Sequence, residues 1–422
     1  MAVFCFGPLP HERARVRITE VKRRYAVAEL IELVSHSPER VQPFCRVFGA
    51  CGGCQVQHLA YSAQLAWKRE VVRNALARIG GLGSVELGAT IGMDDPRAYR
   101  NKMALVVDHS AQPPRFGFYR QRSHDVVPID ECPVVVPQLD AALGALDAMR
   151  GTQTTERMLA DARHLVARGA HGQVVLSVTS ERASEAVHGA AMSLMETLPG
   201  LVGVTNSYDR SSANAILGRQ HRVVGGVAEI EAEIRGVVYR VSPGSFFQIN
   251  TEMVGRIFDF LGARRAPRGT MLDLFCGIGT FALYFAKLGW DVIGVEENAR
   301  AVDEAVANAR LNGLASRATF VAGRVEQALR TEPLRSALRG APTAFLDPPR
   351  KGCDEPVLAA IADARVPRVW YLSCDAATLA RDLKFLAAKG YRLETVQPFD
   401  MFPQTGHVET LVLMEYSDPV NR

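Results

Sequence analysis

The stretch that most limits the architecture is MLDLFCGIGTFALYFAKLGWDVIGVEENARAVDEAVANARLNGL, residues 271–314. An apolar run, MLDLF, passes into a turn at Gly277 and Gly279 and then into a helical pattern; a second run, DVIGV, ends in Glu296 and another helix follows. Strand and helix alternating in this way build a parallel sheet with helices on its faces. Glycines in such a turn let backbone approach a ligand closely. An acid 19 residues past Gly277 stands where these folds hold ribose hydroxyls. The spacing is G-x-G without the third glycine that a dinucleotide pyrophosphate usually requires. A nucleoside cofactor is expected, with a Rossmann-type core of another use as the alternative.

AFLDPPRKG sets Asp347 at the end of an apolar run and follows it with two prolines, which fix φ and remove donors, so the turn is stiff. At a strand's C-terminal end such a turn faces the ligand crevice. RVWYLSCDAATLARDLKFL reads as strand, Cys374, helix. Free N–H groups at a helix start lower a thiol's pKa, so Cys374 is either a reactive thiolate or a buried inert cysteine. Glu409 before TLVLMEY and Gln248 in SFFQIN carry little local signal; a solvated strand end and a helix start would explain them.

Upstream the pattern changes. RARVRI and VAELIELV alternate as β structure within residues 1–43. Arg13, Arg15 and Arg17 share one face, with Lys22, Arg23 and Arg24 at the turn, forming either a solvated face or a phosphate-contacting surface. AYSAQLAWKREVVRNALARIG is an amphipathic helix ending at a glycine pair. Residues 88 to about 240 mix strand-like runs with one or two helices, and LGARRAPRGT, 261–270, leads into the alternating half. A net charge of +4 permits a polyanionic partner without requiring one. No apolar stretch reaches the roughly 18 residues that span a bilayer, and the N-terminus lacks the cationic start of a secretory signal, so a cytoplasmic location is the default.

CRVFGACGGCQVQH crowds Cys45, Cys51 and Cys54 together, and Cys132 in IDECPVV is a distant fourth. Eight cysteines unevenly spread over 422 residues do not make a secreted disulfide framework. Four thiolates in this pattern suit structural zinc and an iron–sulfur cluster equally. Cys5, Cys276 and Cys353 read as structural.

The D-x-F-x-G-x-G turn resembles that of class I methyltransferases, which bind S-adenosylmethionine. In order, LDLFCGIGTFAL, LDPPRKG, SCDAATLARDL and QTGHVETLVL resemble the RNA (uracil-5-)-methyltransferase family. CRVFGACGGCQVQH with the later ECP resembles its iron–sulfur-containing 23S ribosomal RNA branch. The likeness is close over 13–80 and 240–416 and patchy between them, in YRNKMAL, FGFY and PGSFFQIN.

The resemblance implies an α/β fold in three parts. A C-terminal class I, Rossmann-like methyltransferase domain would span 241–422, a mixed α+β, RNA-binding central domain carrying the cluster 44–240, and a small N-terminal β module of TRAM or OB-like kind 1–43. The helix near 60–79 would pack on the catalytic domain. The family's module normally has another strand or two, so an incomplete module or a start other than Met1 is expected. The resemblance also implies cofactor contacts at Gln248, Phe275, Gly277, Gly279, Glu296 and Asp347, and a 4Fe–4S cluster on Cys45, Cys51, Cys54 and Cys132. RNA contacts would fall at Asn101, Lys102 and Arg350.

Uracil carbon 5 is a poor nucleophile. Thiolate addition at carbon 6 activates it, and a base must later remove the carbon 5 proton so that the thiolate can leave. The resemblance gives these roles to Cys374 and Glu409. This chain departs at Asp375-Ala376, where the family has Asn-Pro. An ionised Asp375 opposes thiolate formation unless it points away to cap the helix. The expected activity is methylation of a uridine in large-subunit ribosomal RNA by a monomer. The same reaction on transfer RNA is the near alternative, disfavoured because that branch lacks the cysteine quartet. A non-catalytic iron–sulfur or zinc RNA-binding protein is the distant one.

Overall fold

The computed structural model describes residues 1–209, 216–218, 220–264 and 268–417. Residues 265–267 of the 261–270 connection lie outside them. The alternating half forms one seven-stranded sheet, whose strands are numbered here within that sheet. They are β1 Thr270–Leu274, β2 Asp291–Glu296, β3 Ala318–Ala322, β4 Thr343–Leu346, β5 Arg368–Ser373, β6 Tyr391–Phe399 and β7 Glu409–Tyr416. Their order is β3-β2-β1-β4-β5-β7-β6. The first five are parallel, and β7 runs antiparallel between β5 and β6. Every residue of the central strand β4 is buried, as a strand covered on both faces requires. The order reverses between β1 and β4, which opens a crevice over the strand ends. Because β7 is antiparallel, its first residue reaches that edge.

The core on one face is aromatic: Phe258 stacks on Tyr284 with centroids 3.9 Å apart, and Phe285 packs edge-on against Phe345. The hairpin Ile230–Ile234 and Val237–Val241 joins this core through Ala232, Val237 and Tyr239, and the Tyr239 hydroxyl donates to the Thr280 carbonyl at 2.7 Å.

The helix Tyr61–Ala75 docks on the same unit. Val72 and Leu76 share a buried cluster with Leu379 and Leu383 of the helix Ala376–Ala388. Lys68 Nζ lies 2.5 Å from Asp400 Oδ1, with both side chains sealed from water, and Gln64 donates to Gln404 at 2.9 Å. The following segment runs beside β6, pairing Leu87 with Val396 and Ile91 with Phe399, and so covers an otherwise open sheet edge.

Residues 102–226 form a second sheet. From one edge its strands are Gln220–Gly226, Leu201–Tyr208, Gln173–Ser180, His164–Ala170, Lys102–Asp108, Arg115–Tyr119 and Val126–Pro128. The Gln173–Ser180 and Leu201–Tyr208 pair is parallel. Helices Pro137–Ala148, Gln153–Asp161 and Glu185–Thr197 bury Leu139, Leu143, Met158 and Leu194 in its core. At the N-terminus, Ala2–Cys5, Arg13–Val21 and Tyr25–Ser35 make a three-stranded sheet with the last in the middle. Two of its arginines face acids across the strands, Arg15 to Glu32 at 2.7 Å and Arg17 to Glu29 at 2.8 Å. Among the described residues no helix is long and apolar enough to cross a membrane.

Candidate active site

At the end of β1 the chain turns sharply, because the Val295 carbonyl of β2 accepts from both Phe275 (2.9 Å) and Cys276 (3.1 Å). Phe275 takes φ 72°, a left-handed conformation costly for a residue with a side chain. Gly277 and Gly279 also have positive φ, and Gly279 begins the helix Thr280–Lys287. A Cβ on Gly277 would meet nothing within 4 Å, so the space above this turn is open to a ligand. Glu296, at the end of β2, braces the turn. One carboxylate oxygen accepts the Gly277 N–H (3.1 Å) and the other the Asn298 N–H (2.8 Å), leaving acceptor capacity on both.

Asp347 follows β4, and its Oδ2 accepts from Gln248 Nε2 at 3.3 Å. Gln248 is carried on the loop leading into the helix Thr251–Gly262, whose start is capped by Asn250. In the register of β5 with β7, Ser373 stands opposite Thr410. The next positions outward, Cys374 and Glu409, therefore meet at the same edge although they lie far apart in sequence. Both line one cleft of about 940 Å³ with Gln248, Phe275, Gly277, Glu296, Asp347 and Arg350. The catalytic and cofactor positions picked out in the sequence thus come together here, apart from Gly279, which supports the turn from below.

The electrostatics differ from the sequence expectation in one respect. Burial pushes the Cys374 thiol up to about 11, with the carboxylates of Glu409 and Asp347 adding to the effect and Arg350 opposing it. The helix start does not make it a thiolate, because Asp375 Oδ1 already takes the N–H groups of Ala377 (3.0 Å) and Thr378 (2.8 Å). Asp375 is the helix cap, spent on backbone donors. Glu409 is 3 % exposed, and burial, reinforced by Asp347, raises its carboxyl well above the usual range. Burial also raises Asp347. Carboxyls so placed take up a proton more readily than solvated ones.

Two of the three positions read as RNA contacts point elsewhere. Asn101 is buried, and its side-chain amide donates to the Gln248 carbonyl at 2.9 Å, so it holds the loop carrying Gln248. Lys102 lines a separate cavity rather than the cleft. Asn101 lies just before the strand Lys102–Asp108, and its burial comes from the loop packed over it, which the motif alone does not reveal. Arg350 is exposed at the cleft. The sequence reading gave no role to Phe402 or His407, which also line the cleft. Burial and the cations Arg350, Lys68 and Arg100 lower the pKa of His407. The one available signal was the i, i+2 spacing of His407 and Glu409.

The second cavity, about 370 Å³, is lined by Cys45, Cys51, Cys54 and Cys132 together, with Val47, Phe48, Met103, Phe118 and Ile129 as apolar wall. Arg100 and Ile249 line both cavities. All eight cysteines are free thiols, and burial pushes Cys54 up to about 12 and Cys132 to about 11. Among the described residues no three His, Cys, Asp or Glu side chains converge closely enough to hold a single metal ion.

A profile of the tRNA (uracil-5-)-methyltransferase family matches residues 60–417. An uncharacterized RNA methyltransferase of Thermosynechococcus vestitus is 36% identical over 98% of this chain and 93% of its own length. One of Gloeobacter violaceus is 37% identical over 98% and 92%. Among solved structures, the Pyrococcus abyssi tRNA (uracil-54, C5)-methyltransferase in complex with S-adenosyl-L-homocysteine is similar with a TM-score of 0.74 and 25% identity. The match covers 95% of this chain and 91% of that one.

Proposed function

Because the chain belongs to the tRNA (uracil-5-)-methyltransferase family, we propose that it methylates carbon 5 of a uridine in large-subunit ribosomal RNA through a covalent adduct on Cys374. The observation that supports this best is the pairing of Cys374 and Glu409 at adjacent strand ends, in one cleft with the glycine turn. That cleft suits S-adenosylmethionine. The open space above Gly277, the acceptor oxygens of Glu296 and the Gln248–Asp347 pair offer a nucleoside and an amino-acid moiety complementary contacts. When bound, the cofactor supplies a methyl group on a sulfonium, an electrophile that needs no metal.

The protein's own residues do the rest. Cys374 gives up its proton to solvent, its sulfur bonds to carbon 6 of the uracil, and the C5–C6 π pair moves into the O4–C4–C5 enolate. Carbon 5 would then take the methyl as the methyl–sulfonium bond breaks, the electron pair of that bond staying on sulfur in the thioether product, S-adenosyl-L-homocysteine. Glu409, as carboxylate, removes the carbon 5 proton, the enolate re-forms, and the C6–S bond breaks to release Cys374. A buried carboxyl with a raised pKa suits that step, since its carboxylate is a stronger proton acceptor than a solvated one. Arg350 at the cleft offers a cation to the RNA backbone. The uridine must be unstacked from folded RNA to reach Cys374.

The four thiols fit a 4Fe–4S cluster. They line one cavity together, with apolar side chains beside them, and four thiolates are the ligand set such a cluster takes. Cys45, Cys51, Cys54 and Cys132 would hold it, and its work would be structural, since the methylation moves no net electrons. This quartet supports the ribosomal reading. The likeness to the Pyrococcus abyssi enzyme supports a second reading, the same reaction on transfer RNA. Anaerobically purified protein given labelled S-adenosylmethionine and unmodified total RNA tests both. Label as 5-methyluridine in large-subunit ribosomal RNA upholds the first, and label in transfer RNA alone upholds the second.

A further inference from the structure

Residues Tyr99 to Lys102 run past the junction of the cleft and the cysteine cavity, where Arg100 lines both. The Tyr99 hydroxyl donates to the Pro403 carbonyl at 2.9 Å. Asn101 is fastened to the loop opposite through the Gln248 carbonyl (2.9 Å) and, by its own N–H, the Ile249 carbonyl (2.9 Å). Lys102 lines the cysteine cavity.

The charges at that junction are unbalanced. Lys102 is half-buried, and its ammonium has no hydrogen-bond or ion-pair partner among the described residues. The charged neighbour it feels is another cation, Arg168, itself 4 % exposed. The one carboxylate lining the cavity among the described residues, Glu131, is taken by Arg46 at 2.7 Å, and Arg46 also binds Asp130 at 2.8 Å. Half-buried cations without an acid against them are costly unless an anion fills the space they face. Four thiolates around a 4Fe–4S core of charge 2+ carry a net charge of about −2. Arg100 and Lys102 match that charge.

We propose that Lys102 is a built-in counter-charge for the group held by Cys45, Cys51, Cys54 and Cys132, and that it raises that group's reduction potential. This rests on the cluster reading above. It also removes Lys102 from the RNA surface.

The test uses full-length protein purified without oxygen, with Lys102→Met and Lys102→Arg variants. Iron and sulfide content of the wild type checks the cluster reading by itself; its absence overturns both. With the cluster present, midpoint potentials come from a reductive titration followed by electron paramagnetic resonance, and iron loss from a chelator assay. Lys102→Met should shift the one-electron reduction constant about tenfold toward the oxidised state, which is 59 mV more negative. It should also release iron several-fold faster, while Lys102→Arg stays near wild type. A Lys102→Met protein with wild-type potential and iron release overturns the proposal and leaves the cluster standing. So does a variant altered only in RNA affinity. If Lys102→Met fails to load iron, Lys102→Arg decides: loading at wild-type potential upholds the need for charge, and failure of both overturns it.

Discussion

The two cavities that Arg100 lines in common are built by different means. The cleft is made of strand ends. Phe275, Asp347 and Cys374 follow β1, β4 and β5, Glu296 ends β2 and Glu409 opens β7, so sheet register fixes their spacing. The cysteine cavity is made of turns: Cys45, Cys51, Cys54 and Cys132 all lie outside the named strands and helices. Strand ends stay placed whatever fills the cleft, whereas turns with little core of their own are expected to depend on what fills the cavity. Chemistry that needs sub-ångström placement is therefore better hosted by the first.

The sharpest way to break that contrast is at the cleft. Cys374→Ala should lower methylation by about four orders of magnitude or more, since no adduct can form. It should leave melting temperature and RNA binding unchanged. Glu409→Gln should instead accumulate a methylated RNA–protein adduct stable on denaturing gels, because elimination lacks its base. A turnover defect in Glu409→Gln without adduct would remove Glu409 from the role of base.

Next in size is the latch that seats the helix Tyr61–Ala75 on the sheet behind the cleft. Lys68→Met leaves the Asp400 carboxyl sealed from water without its cation and with the Tyr61 hydroxyl beside it, which costs about 3–5 kcal/mol. Denaturant unfolding should register that loss, and replacing both partners by apolar residues should recover much of it. A loss under about 1 kcal/mol would mean that apolar docking through Val72 and Leu76 alone seats the helix Tyr61–Ala75.

These elements also divide what the sequence could tell from what it could not. The glycine turn, Asp347 and Cys374 were legible because strand–turn–helix periodicity announces each strand's end, and in a parallel sheet the ends share one edge. Glu409 had no such signal, as its position depends on β7 running backwards, which local pattern does not encode. Lys68 reads as one charge on an amphipathic helix; that it is buried follows only from Asp400, 332 residues away. Asn101 and Lys102 look like surface residues in a basic motif, and only the packing of the Gln248 loop over one and the cysteine cavity beside the other reverse that. The thiol of Cys374 misled for a local reason: Asp375 was legible as a helix cap, and a capped start has fewer donors left to stabilise a thiolate.

That thiol supplies a smaller, pH-dependent comparison. With its pKa raised to about 11, Cys374 is mostly protonated at pH 7 and its thiolate fraction grows about tenfold per pH unit until that value. Iodoacetamide labelling of the RNA-free protein, followed by peptide mass spectrometry from pH 7 to 10, should show that slope at Cys374. A rate already flat below pH 8 would mean that Arg350 outweighs burial and the neighbouring carboxylates.

The smallest effect separates two glycines of one turn. Gly277 has φ 55° with open space where a Cβ would go, so Gly277→Ala should cost only about 1–2 kcal/mol, the strain of a left-handed alanine. Gly279 has φ 84°, and its Cβ would meet Phe320 at 3.2 Å and Leu283 at 3.3 Å. Gly279→Ala adds crowding to similar strain and should be the less stable of the two. Their order should reverse for cofactor affinity, because the methyl of Gly277→Ala projects into the space a ligand would use. Calorimetric binding of S-adenosyl-L-homocysteine beside thermal melts reads both. If Gly277→Ala binds as tightly as wild type, the cofactor does not lie over this glycine, and the cleft's ligand must sit nearer Glu296 and Asp347.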